Sequence, residues 1–239
     1  MSASDDPNDS GPDGQGGPHV FVESVESPTL SPSDRHHLER VLRLRAGDAL
    51  TVSDGRGWWL QCRYGAPVQA ASEPRLVPLR EPEITVAFTP VKGDRPEWVV
   101  QKLTELGVDR IVVLRADRSV VRWDGDRATK QLERFERVAR EAAMQSRRCF
   151  LPTIEGISDI AALAARWDVV RADRGGTPLT LAHPVVAIGP EGGWTDEERQ
   201  LMSGPVGLGD NVLRAETAAV TAGALLTALR GGWAGLPNV

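Results

Sequence analysis

The chain has 239 residues, a formal net charge of −5, and 41% hydrophobic and 26% charged content. That length suits two modest domains or one large one with a buried core, and the composition is that of a soluble globular protein. No apolar run approaches the roughly 18 residues of a membrane helix, and the start of the chain lacks the basic and apolar regions of a signal peptide, so a cytoplasmic protein without membrane contact is expected.

Cys62 and Cys149 lie in no C-x-x-C pattern and read as two buried free thiols. His19, His36, His37 and His183 form no i,i+4 pair around a Glu, and no metal is expected. The negative charge is concentrated at one end. Asp5, Asp6, Asp9 and Asp13 fall within residues 1–18, which hold no Lys or Arg, so the rest of the chain carries only −1. Of its 28 basic residues 25 are arginine, which suits phosphate contact and base stacking but equally follows from a GC-rich genome.

Residues 1–18 are mostly Asp, Ser, Gly and Pro and read as a disordered tail. Val20-Phe21-Val22 is a strand candidate. Ser33-Asp34-Arg35-His36 starts a helix with apolar residues at Leu38, Val41 and Leu42. Residues 49–52 and 58–64 flank a turn cluster at 53–57 and read as a hairpin. Short strands with one helix suggest a small β-barrel over residues 19–80, ended by Pro74, Pro78 and Pro82. Residues 84–88 form the next strand. Asp94 with Glu97 has capping-box spacing, Pro96 suits the first turn, Val99, Leu103 and Leu106 share a face, and Gly107 supplies the stop. A strand at 110–114 precedes a long helix over about 128–147, with Leu132, Phe135, Val138, Ala139 and Ala142 on one face. A shorter helix near 158–166 leads to Val169-Val170, and residues 185–219 hold two more strand–helix pairs. Strands alternating with helices predict an α/β domain over 82–235 with a parallel sheet covered on both faces. Ligands bind such sheets at the carboxyl ends of strands, which draws attention to Thr89, residues 189–193 and residues 209–214.

The loops narrow the chemistry. A P-loop and a G-x-S-x-G elbow are absent, and Gly207-Leu208-Gly209 lacks the third glycine of a dinucleotide fingerprint. Gly189, Gly192 and Gly193 permit positive φ and close approach, while Pro190 stiffens the loop. Arg214 at a helix start opposes the helix dipole, so it calls for a partner such as Glu216 or for a function.

Ile188-Gly189-Pro190-Glu191-Gly192-Gly193 and Leu213-Arg214-Ala215-Glu216-Thr217-Ala218 resemble the paired motifs of the bacterial RsmE family, 16S ribosomal RNA (uracil-N3) methyltransferases of the SPOUT superfamily. Lys92-Gly93-Asp94, residues 101–108, Arg118-Ser119-Val120-Val121 and residues 141–148 are similar to further blocks, and His36-His37-Leu38 with residues 41–48 to the family's PUA-like domain. The resemblance runs from about Val20 to Leu229. It implies a SPOUT-type sheet with a deep trefoil knot behind a PUA-like barrel, a homodimer, and bound S-adenosylmethionine. Its 16S rRNA substrate is expected within an assembled small subunit. Two positions depart: Met144 stands where the family usually has Glu, and His19 where the first strand often begins with Arg.

By this resemblance the donor is held by Thr89, Pro90, Ile188, Gly189, Glu191, Gly192, Leu208, Gly209, Val212, Leu213, Ala215, Thr217 and Ala218. Arg214 is the expected catalytic residue, with Glu216 a second candidate. Arg35, Arg43, Arg45, Arg118, Gln145, Ser146, Arg147 and Arg148 are expected to contact RNA. Arg40, Arg115 and Arg122 extend the basic surface. The competing readings are methylation of another RNA position such as a ribose 2′-hydroxyl, a non-catalytic RNA-binding protein, and a nucleotide-dependent oxidoreductase.

Overall fold

The computed structural model describes residues 11–234. The chain divides into two compact units, one of Met1–Leu79 with Arg140–Leu151, the other of Arg80–Ala139 with Pro152–Val239. Among the described residues no helix is long and apolar enough to cross a membrane.

The first unit is built on β1 (His19–Phe21), α1 (Pro32–His36), β2 (Ala49–Ser53), β3 (Trp58–Arg63), β4 (Gln69–Ala70) and β5 (Arg75–Leu76). Its sheet runs β1-β2-β3-β4, with β5 also on β3, and the β2–β3 pair is the expected antiparallel hairpin. Alternate residues Leu50, Val52, Leu60 and Cys62 turn inward to one core with Val20 and Leu38. Val41 and Leu42, expected on the buried face, are 61% and 45% exposed. The cause is a widened turn at His37–Val41, where Leu42 donates to the His37 carbonyl five residues back, which changes the helical period.

Of the segment expected to be a tail, residues 1–10 lie outside the described residues. Residues 11–18 follow a defined path: the Pro18 carbonyl accepts from Thr51, and Gly17 crosses so close that a Cβ would lie 1.9 Å from the Ala49 carbonyl oxygen.

The second unit contains β6 (Thr85–Phe88), α2 (Arg95–Leu106), β7 (Arg110–Leu114), α3 (Gly125–Gln145), β8 (Thr153–Ser158), α4 (Ile160–Ala164), β9 (Val169–Pro178), β10 (Val185–Ile188), α5 (Asp196–Gln200), β11 (Gly204–Gly207) and α6 (Ala215–Arg230). The sheet order is β11-β9-β10-β6-β7-β8, every neighbouring pair parallel. Central strands β6 and β10 are buried throughout, as a sheet with two covered faces demands. Ile84, Val86, Phe88, Val186 and Ile188 face one core with α2, α3 and α6 residues, while Ala87, Val185 and Ala187 face another with Ile160, Leu163 and Trp194.

Two helix ends follow local chemistry closely. Gly107 closes α2 in the left-handed region at φ 94°, and Thr195 with Glu198 forms a full capping box on α5. The box expected at Asp94 is absent. Its Glu97 carboxylate reaches α3 instead, accepting from Gln131 at 2.8 Å and pairing with Arg134 at 3.1 Å. Leu106, at the end of α2, is 36% exposed rather than buried with Val99 and Leu103. Helix α3 begins at Gly125 and ends at Gln145, slightly before the expected position; from Arg140 on it belongs to the first unit.

Candidate functional site

A cavity of about 510 Å³ opens at the carboxyl ends of β10 and β11, beside the middle of β9. Its size suits a nucleoside-sized ligand. Of the residues assigned to the donor, Ile188, Gly189, Glu191, Leu208, Gly209, Val212, Leu213, Ala215 and Ala218 line it, as does Arg214. Twelve of its 18 lining residues are glycine, proline or apolar, and where side chains are small or absent a ligand meets main-chain N–H and C=O groups.

Thr89, Pro90, Gly192, Thr217 and Glu216 do not line the cavity. Thr89 stands behind it, where its Oγ1 donates to the Ile188 carbonyl at 3.2 Å. Gly189 is required by a neighbouring side chain: a Cβ there would lie 2.7 Å from the buried Trp194 indole. Gly193 does need its freedom, at φ 69°, to close the turn in which its N–H donates to Pro190 at 2.8 Å. Arg118 is tied to this loop, since its guanidinium donates to the Gly192 carbonyl at 3.1 Å.

Arg214 caps α6 from an extended backbone and makes no side-chain capping bond. Glu216 does not pair with it; the carboxylate turns to Arg95 of α2 at 3.0 Å, and its second oxygen is buried without a hydrogen-bond partner. Among the described residues Arg214 has no ion pair or side-chain hydrogen bond, so an exposed guanidinium is left at the cavity rim. A cation held at the positive end of a helix without a counter-ion is poised for an anion or a developing negative charge.

Pro190, Gly193 and Asn211 of the two expected loops also line it, and Ala172, Asp173, Arg174, Trp194 and Arg199, which sequence reading missed, complete the lining. Trp194 had a signal, since it sits directly before the capping box and closes the glycine loop. The residues 172–174 had none, because they enter the wall through an irregularity in strand pairing.

The other residues expected at RNA fall mostly in the first unit: Arg35, Arg43, Arg45, Gln145, Ser146, Arg147 and Arg148. Arg35 lies over the Tyr64 ring at 5.9 Å, and Arg43 and Arg147 both adopt φ 58°, unusual for side chains larger than glycine. One guanidinium nitrogen of Arg147 is buried with no hydrogen-bond partner, and Ser146 is turned back onto the Ala142 carbonyl at 2.8 Å. His19 points inward. Its Nε2 donates to the Arg148 carbonyl at 3.1 Å and its Nδ1 faces Thr51 Oγ1 at 2.9 Å. Burial pushes its ring from 6.5 down to about 4; the carbonyl bond opposes the shift and Arg147 adds to it. Met144, at the other departure, packs on the first unit's core and takes a contact from Arg140 at 3.2 Å. Arg140 also forks onto Asp34 at 3.0 and 2.8 Å. Burial raises the thiols of Cys62 and Cys149 to about 11 and about 12, so both are neutral and inert.

Comparison with known proteins agrees with this geometry. Residues 79–227 match the model of the RNA methyltransferase domain family, and residues 30–67 that of the RNA methyltransferase PUA domain. The ribosomal RNA small subunit methyltransferase E of Synechocystis is 33% identical over 89% of this chain and 76% of its own. A Legionella pneumophila methyltransferase solved with SAM is 28% identical with a TM-score of 0.76, covering 88% of this chain and 96% of that one. The ribosomal RNA small subunit methyltransferase E of Neisseria gonorrhoeae, bound to S-adenosyl methionine, is 26% identical with a TM-score of 0.70, covering 87% and 95%.

Proposed function

The chain belongs to the RNA methyltransferase family, and from that premise we propose that it methylates N3 of a uridine in 16S ribosomal RNA with S-adenosylmethionine as donor. The observation that carries this reading is the backbone-lined cavity at the strand ends with the unpaired Arg214 at its rim. The donor supplies a methyl group on a sulfonium. The chain supplies position and field. Main-chain groups at Ile188, Gly189, Leu208, Gly209 and Leu213 hold the adenosine, and the apolar side chains of Ala215 and Ala218 exclude water behind it. Thr89 fixes the Ile188 carbonyl from behind.

N3 of uracil would give up its proton to solvent, and the electron pair left on nitrogen would take the methyl carbon as the carbon–sulfur bond breaks and the neutral thioether leaves. Negative charge then grows on the flanking carbonyls, and Arg214 stabilises it there. Glu216 acts through Arg95 to set the start of α6 rather than on the substrate. Residues Arg35, Arg43, Arg45, Gln145, Ser146, Arg147 and Arg148 of the first unit and Arg118 of the second hold phosphate and position the RNA. The same reading takes the first unit's sheet as a closed PUA-like barrel spanning residues 19–80. The C-terminal chain of the second unit is a trefoil knot, and the enzyme works as a cytoplasmic homodimer on the assembled small subunit.

The test is mass spectrometry of nucleosides from unmodified small subunits incubated with the protein and isotope-labelled S-adenosylmethionine. The expected product is one labelled 3-methyluridine per 16S rRNA. Label on a ribose, or none, would refute the assignment.

A further inference from the structure

Strand β9 does not stay in the sheet along its length. Arg171 pairs with Pro205 of β11, but the next pair is Thr177 with Val206, so five residues of β9 stand outside the ladder. On the other side β10 pairs only as far as Arg171. The unpaired stretch contains Gly175 at φ 75°, a conformation that L side chains rarely adopt. Gly176 then crosses so close to β11 that a Cβ would lie 2.5 Å from the Val206 carbonyl carbon. The excursion begins in the cavity wall, where Ala172, Asp173 and Arg174 lie.

Asp173 is held on several sides. Its Oδ2 takes a bond from Arg199 of α5 at 3.1 Å and faces Arg171 Nε at 3.7 Å, while Oδ1 accepts the Arg174 backbone N–H at 3.0 Å. That Arg171 nitrogen is buried and has no hydrogen-bond partner, so the carboxylate is its only counter-charge at hand among the described residues. The rest of the cavity offers mostly backbone and apolar surface, and Asp173 is the acceptor side chain fixed in place within it.

We propose that Asp173 reads the ribose diol of the adenosyl ligand, with Arg199 and Arg171 as its positioning residues. This rests on the methyl-donor reading of the cavity. The chemistry selects the diol over the ligand's ammonium group. A carboxylate whose charge is already balanced by two guanidinium groups gains little from a further cation. It accepts about four hydrogen bonds in all, so lone pairs are left for two neutral hydroxyl donors. Its rigidity matches a vicinal diol, whose two hydroxyls have fixed spacing.

The experiment is calorimetric titration of the full chain with S-adenosylhomocysteine, its 2′,3′-dideoxy analogue and its N-acetyl analogue. The native chain should bind the dideoxy compound about ten- to a hundredfold more weakly than the parent, and the N-acetyl compound with little loss. In Asp173→Asn the parent should weaken by a similar factor and the preference for the diol should collapse. Retention of that preference in Asp173→Asn overturns the assignment. Should that variant fail to fold, the native chain decides alone: a loss on acetylation with none on removal of the diol also overturns it. Failure of the native chain to bind S-adenosylhomocysteine at all refutes the methyl-donor reading itself, which is a separate outcome.

Discussion

The two loops that wall the cavity differ in what holds them. Residues 189–194 are fixed from within and without: Gly193 bonds to Pro190, Gly189 lies against Trp194, Arg118 grips Gly192, and the α5 capping box follows at once. Glu198 of that box also accepts the Asp117 N–H at 2.9 Å, which anchors the loop to the turn that follows β7. Residues 209–213 have no such support. Among the described residues none of them makes a hydrogen bond, Val212 is 78% exposed, and Gly209 sits at φ 140°. The first loop is a preformed wall, and the second presents solvent-facing main-chain groups without protein partners. On the proposed reading, the rigid loop places the donor, while the unsupported loop grips it and Arg214 meets the developing charge.

That contrast breaks in a defined order. The largest effect belongs to the open loop. Arg214→Ala should lower single-turnover methyl transfer by about a hundred- to a thousandfold. Donor binding, followed by calorimetry, should persist. Unchanged transfer would remove the functional reading of the unpaired cation.

The loops must be compared on a folded chain, and His19 sets the pH range. Its folded pKa of about 4 lies below the usual 6.5, so the unfolded chain binds the proton more readily. Stability is full above about pH 6.5 and falls as the pH drops through 4, by about 3 kcal/mol for this group. His19→Gln should flatten that part of a chemical-denaturation pH profile; a slope identical to that of the native chain would contradict the assignment.

The supported loop should fail by crowding. Gly189→Val drives a side chain into Trp194 and should cost about 1–3 kcal/mol of stability along with donor affinity. A stable variant with native affinity would mean that Trp194 does not brace the loop. The smallest change is at the cap: Thr195→Ala should cost about 1 kcal/mol in a melting experiment and leave residues 209–213 unaffected.

Much of this was readable from sequence because local chemistry dictated it. Alternation with central buried runs gave the parallel sheet, Gly107 announced a helix end, and the glycines at 189–193 marked a backbone site. Elements governed by distant partners were not readable. Glu97 abandons its capping box for Arg134, thirty-seven positions on, and Glu216 chooses Arg95 over Arg214, which depends on how α2 packs on α6. Asp173 reaches the cavity because β9 loses register with β11 for five residues, and no local pattern encodes such a jump. Likewise, residues 145–148 close α3, which starts in the second unit, yet count with the first, because Arg140 and the Arg148 carbonyl bond to Asp34 and His19 there.

The comparison of loops is tested most directly by hydrogen–deuterium exchange with and without saturating S-adenosylhomocysteine. Amides of residues 209–213 should be fast in the free protein and strongly protected by ligand, while those of 189–194 should be slow in both states. Protection confined to segments outside the two loops, or none at saturation, would contradict the site.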